Sequence, residues 1–426
     1  MVEIAPFRGL RYAPSLSREP VFSPPYDVID ASLRNKLLEA SPHNVVHVTF
    51  GPEPTPATWY DEAARRFQHW QAQGVLLRDA APSFYAHEQA FVGPDGQTMV
   101  RRGFFARVRL VPWGQGIHPH EKTRSGPKAD RLRLMRSLHA QESPVFGIYR
   151  DSEGSLDAFL GAPPDDAVTA VDDEGVRHTC WPLSSPALLT QMVAYLAERD
   201  IVIADGHHRY ETALAYRDEV RARAGREAPS GAHDYVLMYL TPADGDGLVI
   251  LPTHRVVTAP LPGGEIKLPA ALEPDFCLEP IAEDTQLATA LAAHHDGAIK
   301  LGLYLPPGAW LLTLRDRARA HAAAPPDQPR ELAELDVAVL QNLILAPYLA
   351  ITTDTLAHGD AVRYTTHADE ARLAVREGGA SAAFVLNPTS VDQVWRAAIA
   401  GVTMPQKSTY FYPKLLTGLV MNPLDD

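Results

Sequence analysis

Apolar and polar positions change their spacing repeatedly along the chain, and each change marks an element. Near the start, "FSPPYDVI" is held extended by its paired prolines. "DASLRNKLLEASPHN" predicts a short helix, with Asp30 as N-cap and an end before Pro42. "NVVHVTFG" alternates and predicts a strand. Trp59, Ala63, Phe67 and Trp70 then recur at spacings of four, four and three, which is one face of a helix closed by Gly74. That aromatic stripe reads as core rather than as a cofactor site.

Period-two alternation returns in "SFYAHEQAF" and "VRRGFFARVRLVPW". The Asp-Gly in "VGPDGQTM" between them predicts a hairpin. The polar "GIHPHEKT" leads into a helix with Leu132, Met135 and Leu138 on one face, and "SPVFGIYRD" reads as a strand. Residues 151–183 carry many acids and read as strands with exposed loops. "SSPALLTQMVAYLAERD" predicts a helix capped by Ser185 with Pro186 in its first position. "IVIA" enters as a buried strand, "DGHHR" follows as a turn, and a helix runs from Tyr210 to about Ala224, near Gly225. "DYVLMYLTPA" and "LVILPTHRVV" are further strands. Pro260 to Gly264 reads as a boundary. Beyond it, "GAIKLGLYLPPGAWLLTL" predicts a hairpin, "ELAELDVAVLQNLILAPYL" a helix and "ASAAFVLNPTS" a strand with a turn. The expected fold class is α/β (α+β), in three regions at 1–80, 81–260 and 261–426.

Charge narrows the function. The 426 residues hold 39 Lys plus Arg against 52 Asp plus Glu, a net charge of −13. A chain this acidic is a poor partner for nucleic acid or an anionic membrane, whose phosphates would repel it. Cys180 and Cys277 form no CxxC pair, so neither a thiolate zinc cage nor a disulfide framework is indicated. "MVEIAPFRGLRY" lacks a signal-peptide layout, and no run of about 18 apolar residues occurs. A cytoplasmic protein is expected.

The chemistry concentrates in "IVIADGHHRYETALAYR". A strand delivers the chain to a glycine turn and a helix starts there. The first N–H groups of a helix lack partners and carry partial positive charge, which makes an anion site. Gly206 lets a ligand approach the backbone. His207, His208 and Arg209 add donors, and Asp205 has the chemistry to hold a magnesium ion that bridges to phosphate. The competing reading is an N-capped helix with solvated histidines. Upstream, "HPHEKT" supplies His120 and Glu121 as catalytic candidates, Glu121 as the general base, with Lys122 and Thr123 for phosphate. The alternative there is a polar loop. His118 and His120 also have the spacing to bind zinc or manganese, with Asp205, His207 and His208 completing a hydrolase shell. Lys122 and Arg209 would crowd such a cation with like charge. "LPTHRVV" contributes Thr253, His254 and Arg255 as phosphate-binding candidates, and "PQKSTYFYPK" contributes Lys407, beside Ser408, Thr409, Tyr410 and Lys414. "SPPYDV" offers Tyr26 and Asp27 as a rigid pair.

Taken together, "APFRGLRY", "SPPYDVI", "NVVHVTFG", "HPHEKTRSGPKADRLRLM", "SPVFGIY", "IADGHHRYETAL", "ILPTHRVV" and "PQKSTYFYPKLLTGLV" resemble the landmarks of the DUF1015 family, found in bacteria and archaea. Residues from about 105 to 215 are similar in order to the superfamily of ParB, sulfiredoxin and free serine kinases. That resemblance implies a central mixed-sheet domain of ParB/sulfiredoxin type with additional N- and C-terminal α/β regions. It implies Glu121 as the base that takes a serine hydroxyl proton, and Asp205 to Arg209 as the phosphate and magnesium element. Where sulfiredoxins carry a catalytic Cys this chain has His207, and its charge argues against a ParB-like DNA-binding module. Residues 1–80 and 261–426 have no counterpart in the small serine kinases. The expectation is a nucleotide-dependent phosphotransferase, a small-molecule kinase acting on free L-serine or a similar hydroxyl compound, with ATP or ADP as donor and Mg2+ as cofactor. Its partners are a nucleotide and a small hydroxyl-bearing metabolite, with homo-oligomerisation left open. A nucleotide-binding switch and a metal-dependent phosphoester hydrolase are the alternatives.

Overall fold

The computed structural model describes residues 1–16, 19–121, 125–224, 230–262, 264, 267–293, 297–326, 328–352, 355–356 and 361–425. The chain divides into two compact units. Met1–Pro119, Thr123–Val249 and Pro413–Asp426 form the first, and His120–Lys122 with Ile250–Tyr412 form the second. Residues 1–80 therefore share a unit with residues 81–119 and 123–249.

The first unit is built on a nine-stranded mixed sheet. Its strands are β1 (Ile4–Ala5), β2 (Phe84–Val92), β3 (Thr98–Arg109), β4 (Ile117–His118), β5 (Val145–Tyr149), β6 (Val168–Val171), β7 (Arg177–Leu183), β8 (Ile201–Asp205) and β9 (Tyr235–Pro242). The order is β4-β8-β5-β9-β3-β2-β7-β6, with β1 on β3. β2 and β3 form the expected antiparallel hairpin, with Val92 opposite Thr98. The β8–β4 and β9–β5 pairs are parallel, while β8–β5 is antiparallel. Phe84, Ala86, Phe104, Ala106, Met238 and Leu240 bury one face of this sheet.

Helices follow the apolar periodicity where the caps agree with it. α1 (Ala31–Ala40) starts where Asp30 Oδ1 accepts the Leu33 N–H at 2.7 Å. α2 (Ala57–Ala72) buries Trp59, Ala63, Phe67 and Trp70, and Gly74 follows at φ +73°. α3 (Ser125–Leu138) buries Leu134, Met135 and Leu138. α4 (Pro186–Ala197) has Pro186 in its first turn, but Ser185 makes no side-chain cap. α5 (His207–Ala224) starts three residues before the expected Tyr210. Lys128 of α3 bonds Glu211 of α5 at 2.7 Å.

"NVVHVTFG" departs from expectation, because Val46–Thr49 is a helical turn and not a strand. Asn44 decides it. Its amide donates to the Pro20 and Phe22 carbonyls at 2.6 and 3.0 Å, and its Oδ1 accepts the Val46 N–H at 3.0 Å. A side chain that bonds local backbone in this way starts a turn at the expense of a ladder.

The second unit holds an all-antiparallel six-stranded sheet. Its strands are β10 (His254–Val257), β11 (Phe276–Ile281), β12 (Lys300–Leu305), β13 (Gly308–Leu314), β14 (Val362–Thr365) and β15 (Ala382–Val385), in the order β11-β13-β12-β15-β10-β14. The β12–β13 hairpin closes at Leu305 opposite Gly308, as the alternation predicts. α6 (Ala368–Arg376) packs Ala371 and Val375 against this sheet. The expected long helix over 331–349 is divided. Arg330–Ala333 and Asp336–Leu340 are separated by an extended Leu335, and a π turn follows at Gln341–Leu345. The Asp336 carboxylate accepts two bonds from Asn387 at 3.1 Å, and burial pushes its pKa up to about 6.

Candidate functional site

The "DGHHR" turn lies in the first unit, at the end of β8. Gly206 sits at φ +88°, and a Cβ there would lie 2.8 Å from Arg209 Nε, so any other residue would be strained. Its carbonyl accepts the Tyr210 N–H at 3.0 Å, which starts α5 at His207. His207 is buried, His208 is half-buried, and Thr212 Oγ1 donates to the His208 carbonyl at 2.7 Å.

Asp205 is held from three directions. Its Oδ1 accepts the Gly206 N–H at 2.7 Å, and its Oδ2 faces Lys414 Nζ at 3.2 Å and an Arg209 terminal nitrogen at 3.6 Å. Arg209 also donates to Ser143 Oγ at 3.0 Å and to the Pro144 carbonyl. Its guanidinium thus grips the "SPVF" segment, a role that sequence reasoning missed. Tyr26 lies within the electrostatic reach of this cluster. Burial first, then Asp27 and Asp205, push its phenol up to about 12, against the pull of Arg209 and Arg131. Asp27 itself is exposed. Burial also raises the Glu142 carboxyl, which Arg131 and Arg209 draw back down. A void of about 20 Å³, the size of one water, touches Glu142, Ser143, Arg209 and Thr212.

Of the other candidates, His120, Glu121, Thr253 to Arg255 and Lys407 lie in the second unit. His120 is fully buried, and its Nε2 lies 2.9 Å from Thr409 Oγ1. Its carbonyl accepts the Met404 N–H at 2.8 Å, and Glu121 bridges to Met404 in parallel register. Arg255, 4 % exposed, donates to the carbonyls of Thr253, Gln406 and Lys407, the last at 3.0 Å. Lys407 stands at φ +55°, a left-handed conformation that a lysine holds only under such constraint. Ser408 Oγ donates to the Pro405 carbonyl at 2.5 Å, and Thr389 Oγ1 to the Ser408 carbonyl at 3.1 Å. Burial lowers the Arg255 pKa to about 10, partly offset by Tyr364 and Glu121. Burial, Arg255 and His367 lower His254 to about 4, and its Nδ1 accepts the Leu386 N–H at 3.2 Å. The Thr253 hydroxyl is buried with no hydrogen-bond partner among the described residues. Lys122 and Thr123 lie outside the described residues.

Four stretches far apart in sequence thus converge: 120–121, 253–255, 364 and 404–409. His120 Nε2 faces Thr409, and the Arg255 guanidinium faces backbone carbonyls of 253 and 406–407. The sequence signal for Arg255 was only its place beside a strand. Nothing in the spacing marked Tyr364 or Thr389.

A sequence model described as "Protein of unknown function (DUF1015)" matches residues 4–338. The chain belongs to the DUF1015 family. In this DUF1015 protein the match takes in His120, Glu121, Asp205 to Arg209 and Thr253 to Arg255, and it ends before Lys407 and Lys414. Among solved structures, the chain is similar to a conserved hypothetical protein from Pyrococcus furiosus, at 10% identity and TM-score 0.34 over 74% of this chain and 92% of the other. It is similar to free serine kinase in complex with AMP, at 10% identity and TM-score 0.37 over 72% and 86%. It is also similar to SbnI with C-terminal truncation from Staphylococcus aureus, at 10% identity and TM-score 0.35 over 76% and 90%. At these TM-scores the likeness carries no argument about activity. No curated protein matches the chain.

No group of three or more His, Cys, Asp or Glu side chains with the arrangement of a metal site occurs among the described residues of this DUF1015 protein. Asp205 offers one carboxylate, and both of its oxygens are engaged. These residues do not form a protein cage for magnesium. That ion is commonly held by one or two carboxylates together with the substrate's own phosphates and water.

Proposed function

We propose that this DUF1015 protein is a nucleotide-dependent phosphotransferase, a small-molecule kinase acting on free L-serine or a similar hydroxyl compound. The observation that carries the reading is the turn at Asp205 to His208. A left-handed glycine opens an 18-residue helix whose first turn carries two histidines, beside Lys414. Backbone N–H groups at a helix start, imidazoles and an ammonium are donors suited to phosphate oxygens. ATP or ADP is the donor in this reading, and Mg2+ arrives with its phosphates.

Glu121 is assigned as the base. The acceptor hydroxyl oxygen forms its bond to phosphorus while the bond from phosphorus to the nucleotide oxygen breaks, and Glu121 takes the hydroxyl proton. Its backbone is held by the Met404 bridge, which suits a group whose placement matters more than its reactivity.

The test is product formation. The protein is incubated with ATP or ADP, magnesium and L-serine, and O-phosphoserine is sought by phosphorus NMR. Glu121→Gln is expected to lower turnover by about 10²-fold or more while nucleotide binding persists. Unchanged turnover in that variant removes the base assignment. Nucleotide binding without any product over a panel of hydroxy acids removes the kinase reading.

A further inference from the structure

A cavity of about 470 Å³ opens in the second unit, away from every residue assigned above. It lies at the end of β11, beside the β12–β13 turn and the last turns of α6. Ile281, Leu305, Pro306, Ala309 and Val375 give it an apolar lining. Its charged side chains are Glu283, Asp284, Arg372 and Arg376, two of each sign.

Arg372 is the informative member. Its side chain is only 12 % exposed, yet among the described residues its one hydrogen bond runs from Nε to Asp369 Oδ1 at 3.3 Å. One terminal nitrogen stops 3.7 Å from Asp284 Oδ1, beyond hydrogen-bond reach. Among the described residues the terminal nitrogens make no hydrogen bond and only this longer ion pair, so their N–H donors have capacity left for a ligand. Arg376, four residues on, reaches Asp284 Oδ2 through Nε at 3.0 Å and is otherwise exposed. Two guanidiniums with donors to spare match a planar carboxylate. Glu283 and Asp284 beside them would repel a simple anion and attract an ammonium.

We propose that this cavity binds the zwitterion of a small aliphatic α-amino acid. The carboxylate meets Arg372 and Arg376, the ammonium meets Glu283 and Asp284, and the side chain lies on Ile281, Leu305 and Val375. A site with no net charge takes a ligand with no net charge, and the volume falls in the range of small-molecule pockets. The proposal is independent of phosphoryl transfer.

Calorimetric titration of the full chain tests it, with L-leucine as the probe. Two analogues complete the set: 4-methylpentanoate lacks the ammonium, and 3-methylbutylamine lacks the carboxylate. L-leucine is expected to bind, and each analogue to bind about tenfold more weakly or worse. Arg376→Gln, at an exposed position, is expected to weaken L-leucine by a similar factor. Arg372→Gln should abolish binding, with its melting temperature and circular dichroism recorded because the residue is mostly enclosed. If Arg372→Gln does not fold, Arg376→Gln decides the question. Absence of L-leucine binding, equal binding of 4-methylpentanoate, or undiminished affinity in Arg376→Gln overturns the proposal.

Discussion

His254 illustrates how burial writes a pH dependence into one side chain. Its folded pKa is near 4, against 6.5 for the free group, because burial and Arg255 disfavour the imidazolium. The unfolded chain binds that proton more readily, so stability is full above about pH 6.5 and is lost as pH falls toward 4. The loss from this residue is about 3 kcal/mol at most. His87 and His178, buried in the first unit with ring nitrogens 3.3 Å apart, are lowered in the same direction. Urea unfolding between pH 7 and 4 should show the decline, and His254→Gln should flatten part of it. A slope unchanged by that substitution would show that His254 is not the group responsible. Gly206 makes a second residue-scale case. Gly206→Ala at φ +88° carries a backbone cost of about 1–2 kcal/mol and drives a methyl into Arg209. Lower melting temperature together with weakened nucleotide binding is expected. Loss of stability with nucleotide affinity intact would separate this turn from the phosphate.

Elements show where local signals suffice. Asp30 caps α1 through its side chain, so Asp30→Ala should cost about 1 kcal/mol in a denaturant titration. α2 and the β2–β3 hairpin lie where their periodicity puts them, because each buries the face that the pattern marks. Val46–Thr49 does not, since the tertiary bonds of Asn44 to Pro20 and Phe22 outweigh the alternation. The loop over 404–409 is an element made by one distant side chain. Arg255 bonds the Gln406 and Lys407 carbonyls from β10, and bonds to charged groups are worth about 1.5–3 kcal/mol each. Arg255→Met should therefore speed hydrogen exchange at Ser408 and Thr409 more than in the β12–β13 hairpin. Uniform acceleration across the second unit would point to global destabilisation and away from a local clamp.

The whole molecule is acidic, and that bears on its encounters. At −13, it should stay off duplex DNA and anionic vesicles at about 0.15 M salt, where exposed charges are screened beyond ~8 Å. A gel-shift or vesicle-sedimentation assay checks this, and salt-sensitive binding would reveal a basic surface that the net charge conceals. Among the described residues no helix is long and apolar enough to cross a membrane. Each of the two compact units has its own sheet, mixed in the first and antiparallel in the second.

The α/β class, most helices and the two hairpins were legible in the sequence because amphipathic period and caps are local properties. So was the order of strand, glycine turn and helix start at Asp205 to His208, since the three are consecutive in the chain. The partners of that turn were not legible. Lys414 reaches Asp205 across 209 positions, and Arg209 grips Ser143 66 positions away. His120 meeting Thr409, and Arg255 holding Lys407 in a left-handed turn, were equally hidden. Residue types and their spacing fix which groups are available for chemistry. Folding alone decides which buried donors find an acceptor, because each must be paired from wherever the chain can supply a partner.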